Sequence, residues 1–165
     1  MDLIILRHGE AGKSMAAARG DADRALTVAG GKEVEEVAEA LDCLDVGLTH
    51  IITSPLKRAR ETASLAAEVL KKEETVEVWD ELEPESDTAR LYRRLSKLKP
   101  DSVVLVVGHE PYLSGMISEI ISGSKQARIV LKKAGVAKVS VSSWVPKATG
   151  ELRWLMTPRQ LKKVD

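Results

Sequence analysis

Short runs of consecutive apolar residues alternate along the chain with stretches in which apolar residues recur every three or four positions. A short apolar run is typical of a buried strand, and strands are predicted over 3–6, 50–53, 75–79 and 103–107. Recurrence at three and four positions is typical of amphipathic helices, which are predicted over 30–44, 55–70, 87–98 and after Pro111. Near the end of the chain, apolar residues alternate singly over 136–145 and 152–156, which predicts an antiparallel hairpin.

This order of elements predicts the fold class. Alternating strands and helices favour an α/β fold with three layers, α/β/α, in which helices cover both faces of a mostly parallel sheet. The C-terminal hairpin adds antiparallel strands, so the sheet is mixed. The 165 residues suit a single domain, 1–165. Ser54 and Pro55 are expected to cap and start the second helix, and 15–18 are expected to form a helical turn.

The charge balance narrows the classes of partner. Lysine and arginine together number 25, as do aspartate and glutamate, so the formal net charge is zero. A chain with this balance and 3% aromatic residues lacks the basic field and the stacking platforms of nucleic-acid-binding proteins. No apolar run approaches the roughly 20 residues that span a bilayer, and no signal-peptide pattern opens the chain. The sequence therefore predicts a cytoplasmic protein whose partners are neither nucleic acid nor membrane.

Two features that suggest other chemistry are disfavoured. Cys43 is the only cysteine, which excludes an internal disulfide and disfavours a thiolate zinc site. It is expected to be a small buried residue near the end of the first helix. Gly12-Lys13-Ser14 suggests a phosphate-binding loop, but the Walker A pattern needs a glycine where this chain has Arg7. A nucleotide triphosphatase is therefore disfavoured.

Unusual polar residues follow three of the predicted strands. They are Arg7-His8-Gly9, Ser54-Pro55 with Arg58, and Gly108-His109-Glu110-Pro111. Because the carboxyl ends of parallel strands meet at one edge of a sheet, we expect these residues to lie together. Two arginines beside a histidine favour an anion such as phosphate, and a second histidine allows nucleophilic attack on phosphorus. The third histidine, His50, lies at the opposite end of its strand and is expected at the surface.

Individual residues at this edge have alternative interpretations. Arg58, like Lys57 and Arg60, is placed near a helix start, where a cation is unfavourable unless it meets an anion. All three could instead be solvated surface cations. Gly9 is expected to adopt a backbone conformation that other residues avoid, so that the chain turns there. The two histidines could bind zinc, but the neighbouring arginines would repel it, and no metal is expected.

The spaced combination of these motifs resembles the histidine phosphatase superfamily, whose fold is phosphoglycerate mutase-like. The residues that carry the resemblance are Arg7-His8-Gly9-Glu10, Leu26-Thr27 followed by Gly30, Ser54-Pro55 with Arg58, and Gly108-His109-Glu110-Pro111. The short chain and Glu81-Leu82-Glu83-Pro84 are similar to the compact SixA-type phosphohistidine phosphatases of that superfamily. Its larger members carry insertions over the site for which this chain has no room.

The resemblance implies a role for each matching residue. His8 would be the nucleophile, transiently phosphorylated during the reaction. Arg7, Arg58 and His109 would hold the phosphoryl oxygens and the charge that develops on them. No cofactor and no metal are implied, so the expected activity is that of a metal-independent phosphatase.

The leaving group is less well defined by the sequence. A general acid, where the family has one, would be Glu81 or Glu83, although both also fit a solvated acidic loop. Glu10 is expected at the pocket rim and Glu110 in a loop. Because imidazole leaves more readily than an alkoxide, a phosphohistidine substrate needs the acid less. A phosphorylated signalling protein carrying phosphohistidine is the favoured substrate; the alternatives are a small phosphomonoester or a non-catalytic phosphate-binding function.

Overall fold

The computed structural model describes residues 1–13 and 20–164. Its strands are β1 (Asp2–Arg7), β2 (His50–Thr53), β3 (Val76–Val78), β4 (Val103–Gly108), β5 (Val136–Ser143) and β6 (Thr149–Met156). Its α-helices are α1 (Val28–Cys43), α2 (Lys57–Leu70), α3 (Thr88–Leu95), α4 (Tyr112–Ser122) and α5 (Pro158–Leu161). Single 3-10 turns lie at Asp21–Asp23, Glu73–Thr75 and Asp80–Leu82. The helical turn expected over 15–18 lies outside the described residues.

These strands form one sheet in the order β3-β2-β4-β1-β5-β6. β1 and β4 pair in parallel at the centre, with Arg7 opposite Gly108, and β2 pairs in parallel with both β4 and β3. β5 pairs antiparallel with β1 and with β6. The predicted mixed sheet with an antiparallel C-terminal hairpin is therefore confirmed, and β1, β2 and β4 end at the same edge.

The residues of β1 show how the sheet forms the middle layer. Leu3 and Ile5 belong to a core cluster with residues of α3 and α4, whereas Ile4 and Leu6 belong to a cluster with residues of α1 and α2. All four side chains are fully buried. An unbroken apolar run is required here because helices cover both faces of the strand. The predicted α/β/α layering is confirmed.

The start of the second helix differs from the prediction. α2 begins at Lys57, and its N-cap, Leu56, makes no side-chain capping bond. Ser54 is fully buried before the helix, and its hydroxyl bonds to the ring of His109 at 2.8 Å. The residue that resembled a cap is therefore used in a tertiary contact. By contrast, Thr27 caps α1 through its side-chain oxygen, which accepts a hydrogen bond from the amide of Gly30.

Two single-residue expectations are wrong. Cys43 is exposed rather than buried, because it lies at the last position of α1, beyond the final buried residue of that helix, Leu41. Gly9 does not have a positive φ. Instead, a Cβ on Gly9 would lie 2.7 Å from Cγ2 of Val34, so the close packing of α1 requires glycine at this position.

Candidate active site

The carboxyl ends of β1, β2 and β4 bring the three predicted motifs together around one cavity of about 330 Å³. Arg7 and His8 reach it from the end of β1, Arg58 from the first turn of α2, and His109 from the loop after β4. The remaining residues that line the cavity are Ala11, Asp21, Arg24, Pro84, Glu110 and Lys133. The predicted convergence of two arginines and two histidines at one edge of the sheet is therefore observed.

His8 is held in one orientation by both of its ring nitrogens. Its Nδ1 lies 2.7 Å from the carbonyl oxygen of Gly9, which can only accept a hydrogen bond, so Nδ1 carries the proton. Nε2 accepts a hydrogen bond from Nε of Arg58 at 3.2 Å. The ring is 8% exposed. The single lone pair of Nε2 therefore points toward Arg58, whose hydrogen bond it accepts.

The backbone around His8 is fixed by the two helices beneath it. The amide of Gly9 donates to Oγ1 of Thr62 on α2 at 3.1 Å. On α1, Gly30 packs so closely against the backbone of Glu10 that a Cβ would collide with its carbonyl oxygen. The glycines at these two positions let α1 approach the loop that carries His8. This packing limits movement of the imidazole relative to the sheet edge.

Arg58 is a buried cation with an intramolecular carboxylate partner. Only 4% of the residue is exposed, so the interpretation of Arg58 as a solvated surface cation is wrong. Its guanidinium donates to the backbone oxygen of Asp21 at 2.8 Å and to Oδ2 of Asp21 at 3.0 Å. Burial lowers the pKa of Arg58, and Asp21 opposes that shift. Arg60, two residues further along α2, is exposed.

His109 and Arg7 each present a buried nitrogen without a hydrogen-bond partner. Nε2 of His109 bonds to Ser54, whereas its Nδ1 is unpartnered. Nη1 of Arg7 donates to the carbonyl of Leu131 at 2.9 Å, and its Nε is unpartnered. These are the two such side-chain atoms in 1–13 and 20–164. A buried polar group without a partner is costly, so both atoms are suited to a polar ligand.

Burial and neighbouring cations keep both histidines neutral. Burial, reinforced by the charges of Arg58 and Arg7, lowers the pKa of His8 to about 4. Burial, with the charge of Arg58, lowers the pKa of His109 to about 3. The ring centroids are 5.1 Å apart, so protonation of one ring disfavours protonation of the other. At neutral pH His8 therefore has an unprotonated Nε2, as a nucleophile requires.

Acidification should destabilise the protein through these two histidines. An unfolded histidine has a pKa near 6.5. Between pH 6.5 and about 4 the unfolded chain therefore binds protons that the folded chain does not. As a result, the free energy of unfolding decreases as the pH is lowered through this range. From pH 7.5 to pH 5 each buried histidine should cost about 2 kcal/mol of unfolding free energy. Urea titrations at both pH values should show a smaller loss for His109→Gln than for the wild type. An unchanged loss in that variant, or an equal change in His50→Gln, would contradict this expectation.

The structure does not bring the two predicted candidate acids to the cavity. The carboxylate of Glu81 pairs with Arg94 at 2.9 Å, and the guanidinium of Arg94 stacks over the ring of Trp79 at 3.9 Å. Glu83 is exposed. Neither residue lines the cavity. Arg94, a residue of α3, thus holds the carboxylate of Glu81 against that helix.

The cavity also contains charged residues to which the sequence assigned no role in it, among them Asp21, Arg24 and Lys133. Asp21 and Arg24 form an ion pair at 2.7 Å, and Arg58 and Arg24 lower the pKa of Asp21 although burial opposes them. Lys133 reaches the rim from the chain before β5 and pairs with Glu10 at 3.2 Å. Glu110, expected as a loop residue, lines the cavity. Only the proximity of Glu110 to His109 in the sequence could have identified one of these residues.

The described residues contain neither a membrane-spanning helix nor a metal-binding cluster. No helix among them is long and apolar enough to cross a bilayer. Within 1–13 and 20–164, no group of three or more histidine, cysteine, aspartate or glutamate side chains could hold a metal ion.

Comparison with known proteins identifies the family. The sequence profile of the histidine phosphatase superfamily (branch 1) matches residues 3–87. An uncharacterized protein of Picosynechococcus sp. (strain ATCC 27264 / PCC 7002 / PR-6) is 35% identical over 138 residues, which cover 82% of each chain.

Solved structures share the whole fold. The structure of the protein histidine phosphatase SixA complexed with tungstate superposes with a TM-score of 0.85 and 27% identity, covering 98% of this chain and 99% of the other. The structure of a mycobacterial glucosyl-3-phosphoglycerate phosphatase with inorganic phosphate superposes with a TM-score of 0.70 and 19% identity, covering 96% of this chain and 98% of the other. At this identity the similarity shows the fold alone. With the profile match covering about half of its length, the chain belongs to the histidine phosphatase superfamily.

Proposed function

We propose that this protein is a metal-independent phosphatase that forms a covalent phosphohistidine intermediate on His8, and that its substrate is a protein carrying phosphohistidine. The observation that carries the proposal is the state of the His8 ring. The Gly9 carbonyl holds the proton on Nδ1, and Nε2 is unprotonated beside the guanidinium of Arg58. A neutral imidazole oriented in this way can attack phosphorus without first losing a proton.

The other residues of the cavity are assigned to the phosphoryl group. Phosphoryl transfer depends mainly on positioning and on stabilising charge on the equatorial oxygens. Arg58 would orient Nε2 of His8 before the reaction, and its Nε would transfer that hydrogen bond to a phosphoryl oxygen when the lone pair of Nε2 attacks phosphorus. Nε of Arg7 and the ring of His109 have unpartnered nitrogens that suit the others. Removing one such preorganised contact typically lowers the rate by about a hundred- to a thousandfold.

Two observations support phosphohistidine as the substrate. The SixA structure, named for a protein histidine phosphatase, shares 27% identity and nearly the full length with this chain. Neither Glu81 nor Glu83 lines the cavity. An alkoxide leaving group needs a proton from a general acid, whereas a ring-protonated imidazole leaves as a neutral molecule. The placement of these glutamates therefore favours a nitrogen leaving group over an oxygen one.

Trapping the intermediate tests the proposal. The enzyme is mixed with a ³²P-phosphohistidine peptide, quenched within one turnover, and digested for peptide mapping. The expected label lies on the peptide that contains His8, is lost in acid and survives base, as a phosphoramidate should. His8→Ala should carry none. Label on another residue, or label that persists in His8→Ala, would contradict the proposed nucleophile.

Two further measurements separate the alternatives. Turnover should be unchanged by a chelator, since the proposal requires no metal. A phosphohistidine peptide should be hydrolysed with a higher kcat/KM than sugar phosphates. Substantial turnover of alkyl esters that disappears in Glu81→Gln or Glu83→Gln would instead indicate a small-molecule phosphomonoesterase. Tight vanadate binding without turnover of any phosphorylated compound would indicate a non-catalytic phosphate-binding protein.

A further inference from the structure

Glu110 is a carboxylate of the cavity that has no ion-pair partner among the described residues. One of its oxygens, Oε1, accepts a hydrogen bond from the backbone amide of Ser114 at 2.8 Å. The other makes no hydrogen bond in 1–13 and 20–164. The carboxylate of Asp21, also on the cavity wall, already bonds to Arg58 and Arg24. Glu110 is therefore the acidic side chain of this wall with an oxygen that makes no hydrogen bond among the described residues.

The carboxylate of Glu110 is held in place by the start of a helix. The amide of Ser114 belongs to the first turn of α4, an 11-residue helix that starts at Tyr112. The first amides of a helix have no partner within it, and one of them is satisfied here by Oε1 of Glu110. This bond fixes the carboxylate at the cavity wall and leaves its second oxygen for a donor on a substrate.

Transfer of a phosphoryl group between two imidazoles needs a proton on the far nitrogen of each ring. His8 meets this condition, since the Gly9 carbonyl keeps its Nδ1 protonated. In the transfer step, the lone pair of His8 Nε2 forms the new N–P bond while the N–P bond of the substrate breaks. The bonding pair returns to the substrate nitrogen. If the other nitrogen of that ring carries a proton, the ring leaves as neutral imidazole and no proton moves in the step.

The cavity makes this protonation unfavourable without a carboxylate. Besides the two histidines, the charged groups that line it are Arg7, Asp21, Arg24, Arg58, Glu110 and Lys133. Four of the six are cations, and of the two carboxylates Asp21 is already paired with two of the cations. Arginine charges and burial hold both His8 and His109 neutral. A substrate ring that enters the same cavity meets the same field.

We propose that the carboxylate of Glu110 accepts a hydrogen bond from the protonated far nitrogen of the substrate phosphohistidine, and so selects N–P over O–P substrates. This proposal rests on the proposed function, because it assumes attack by His8. Glu110 does for the substrate ring what the Gly9 carbonyl does for His8. An ester leaves as an oxygen anion with no such proton, so the carboxylate offers it no assistance.

The test compares two substrates in Glu110→Gln. Glutamine keeps an oxygen for the amide of Ser114 but lacks the negative charge. For a phosphohistidine peptide, kcat/KM at pH 7.5 should fall about 10- to 100-fold, the range for a hydrogen bond to a charged group. The optimum of its pH profile should shift to lower pH, where solution protonates the substrate ring. For p-nitrophenyl phosphate, kcat/KM should change less than about threefold. Glu110→Asp should restore part of the loss.

Matched controls identify the outcomes that would overturn this inference. Glu83→Gln removes an exposed carboxylate that does not line the cavity, and it should leave kcat/KM for both substrates unchanged. Equal losses on both substrates in Glu110→Gln would show a structural role, and no loss on phosphohistidine would show no role. In either case label on His8 would still support the proposed function. If the wild type forms no label on His8 with phosphohistidine, the proposed function fails and this inference fails with it.

Discussion

Replacing His8 by asparagine is expected to lower the turnover of phosphohistidine by about four to six orders of magnitude, the usual effect of removing a nucleophile. The amide nitrogen of asparagine corresponds to Nδ1 and can still donate to the Gly9 carbonyl, but asparagine has no atom in the place of Nε2 and cannot form a stable bond to phosphorus. The cations around the cavity remain, so inorganic phosphate and vanadate should still bind. Single-turnover kinetics and vanadate titration of the same preparation measure the two properties separately.

His50→Asn is the matched control for that change. His50 lies at the start of β2, at the sheet edge opposite the cavity, and its ring bonds to Thr49. Its replacement should leave turnover unaltered. Turnover of His8→Asn within tenfold of the wild type would show that another group attacks phosphorus. Loss of both turnover and vanadate binding would point to a disrupted cavity, which the melting temperature would reveal.

Arg58→Ala is expected to have the second largest effect, a loss of about a hundred- to a thousandfold in kcat/KM for phosphohistidine. The guanidinium combines two functions, because Nε bonds to His8 Nε2 and the terminal nitrogens bind an anion, here the Asp21 carboxylate. Arg58→Lys should recover only part of the loss, since an ammonium cannot bond to both groups in the same geometry. Steady-state kinetics with vanadate inhibition measure these effects.

Arg60→Ala tests whether any cation near the start of α2 would have the same effect. Arg60 is exposed, and its removal should change kcat/KM by less than about twofold. Surface cations two residues from a site contribute little once salt screens them. If Arg60→Ala and Arg58→Ala lost activity equally, the contribution of Arg58 would be a general field rather than direct contact with the phosphoryl group.

The position of the cavity at one edge of the sheet could be predicted, because the carboxyl ends of parallel strands meet at the same edge. The unbroken apolar runs 3–6 and 103–107 required burial on both faces, and therefore central positions in the sheet. Once β1 and β4 are parallel neighbours, Arg7 must lie opposite Gly108, and the residues that follow each strand must be close. The apolar pattern of the strands and the parallel topology both place these residues at one edge of the sheet. This part of the cavity could therefore be predicted without knowledge of side-chain contacts.

The remaining cavity residues depend on contacts that no local pattern encodes. Asp21 and Arg24 come from a short turn whose position is set by their bonds to Arg58 and to each other. Lys133 belongs to a connection without apolar periodicity. Glu81 was expected near the leaving group, yet Arg94 holds it elsewhere. In each case a partner distant in sequence decides the direction of a charged side chain.

The predicted start of α2 was wrong for a related reason. Serine followed by proline is a strong signal for a helix N-terminus, but the hydroxyl of Ser54 bonds to His109 and the helix begins three residues later. The hydroxyl oxygen of Ser54 also accepts a hydrogen bond from the backbone amide of Leu56 at 3.3 Å, so it serves the backbone and the imidazole together. A capping signal states only that a side chain can accept a hydrogen bond from the backbone, and it does not fix the residue at which the helix begins.

Under the proposed function, the pairing of Arg58 with Asp21 would make phosphate binding an exchange of counter-ions. The buried guanidinium has a carboxylate partner within its own chain. An incoming phosphoryl group would replace that carboxylate instead of adding to a bare charge, and the affinity would be the difference between two ion pairs. When inorganic phosphate departs, the carboxylate of Asp21 would pair with Arg58 again. This exchange would let a site with several cations release its product.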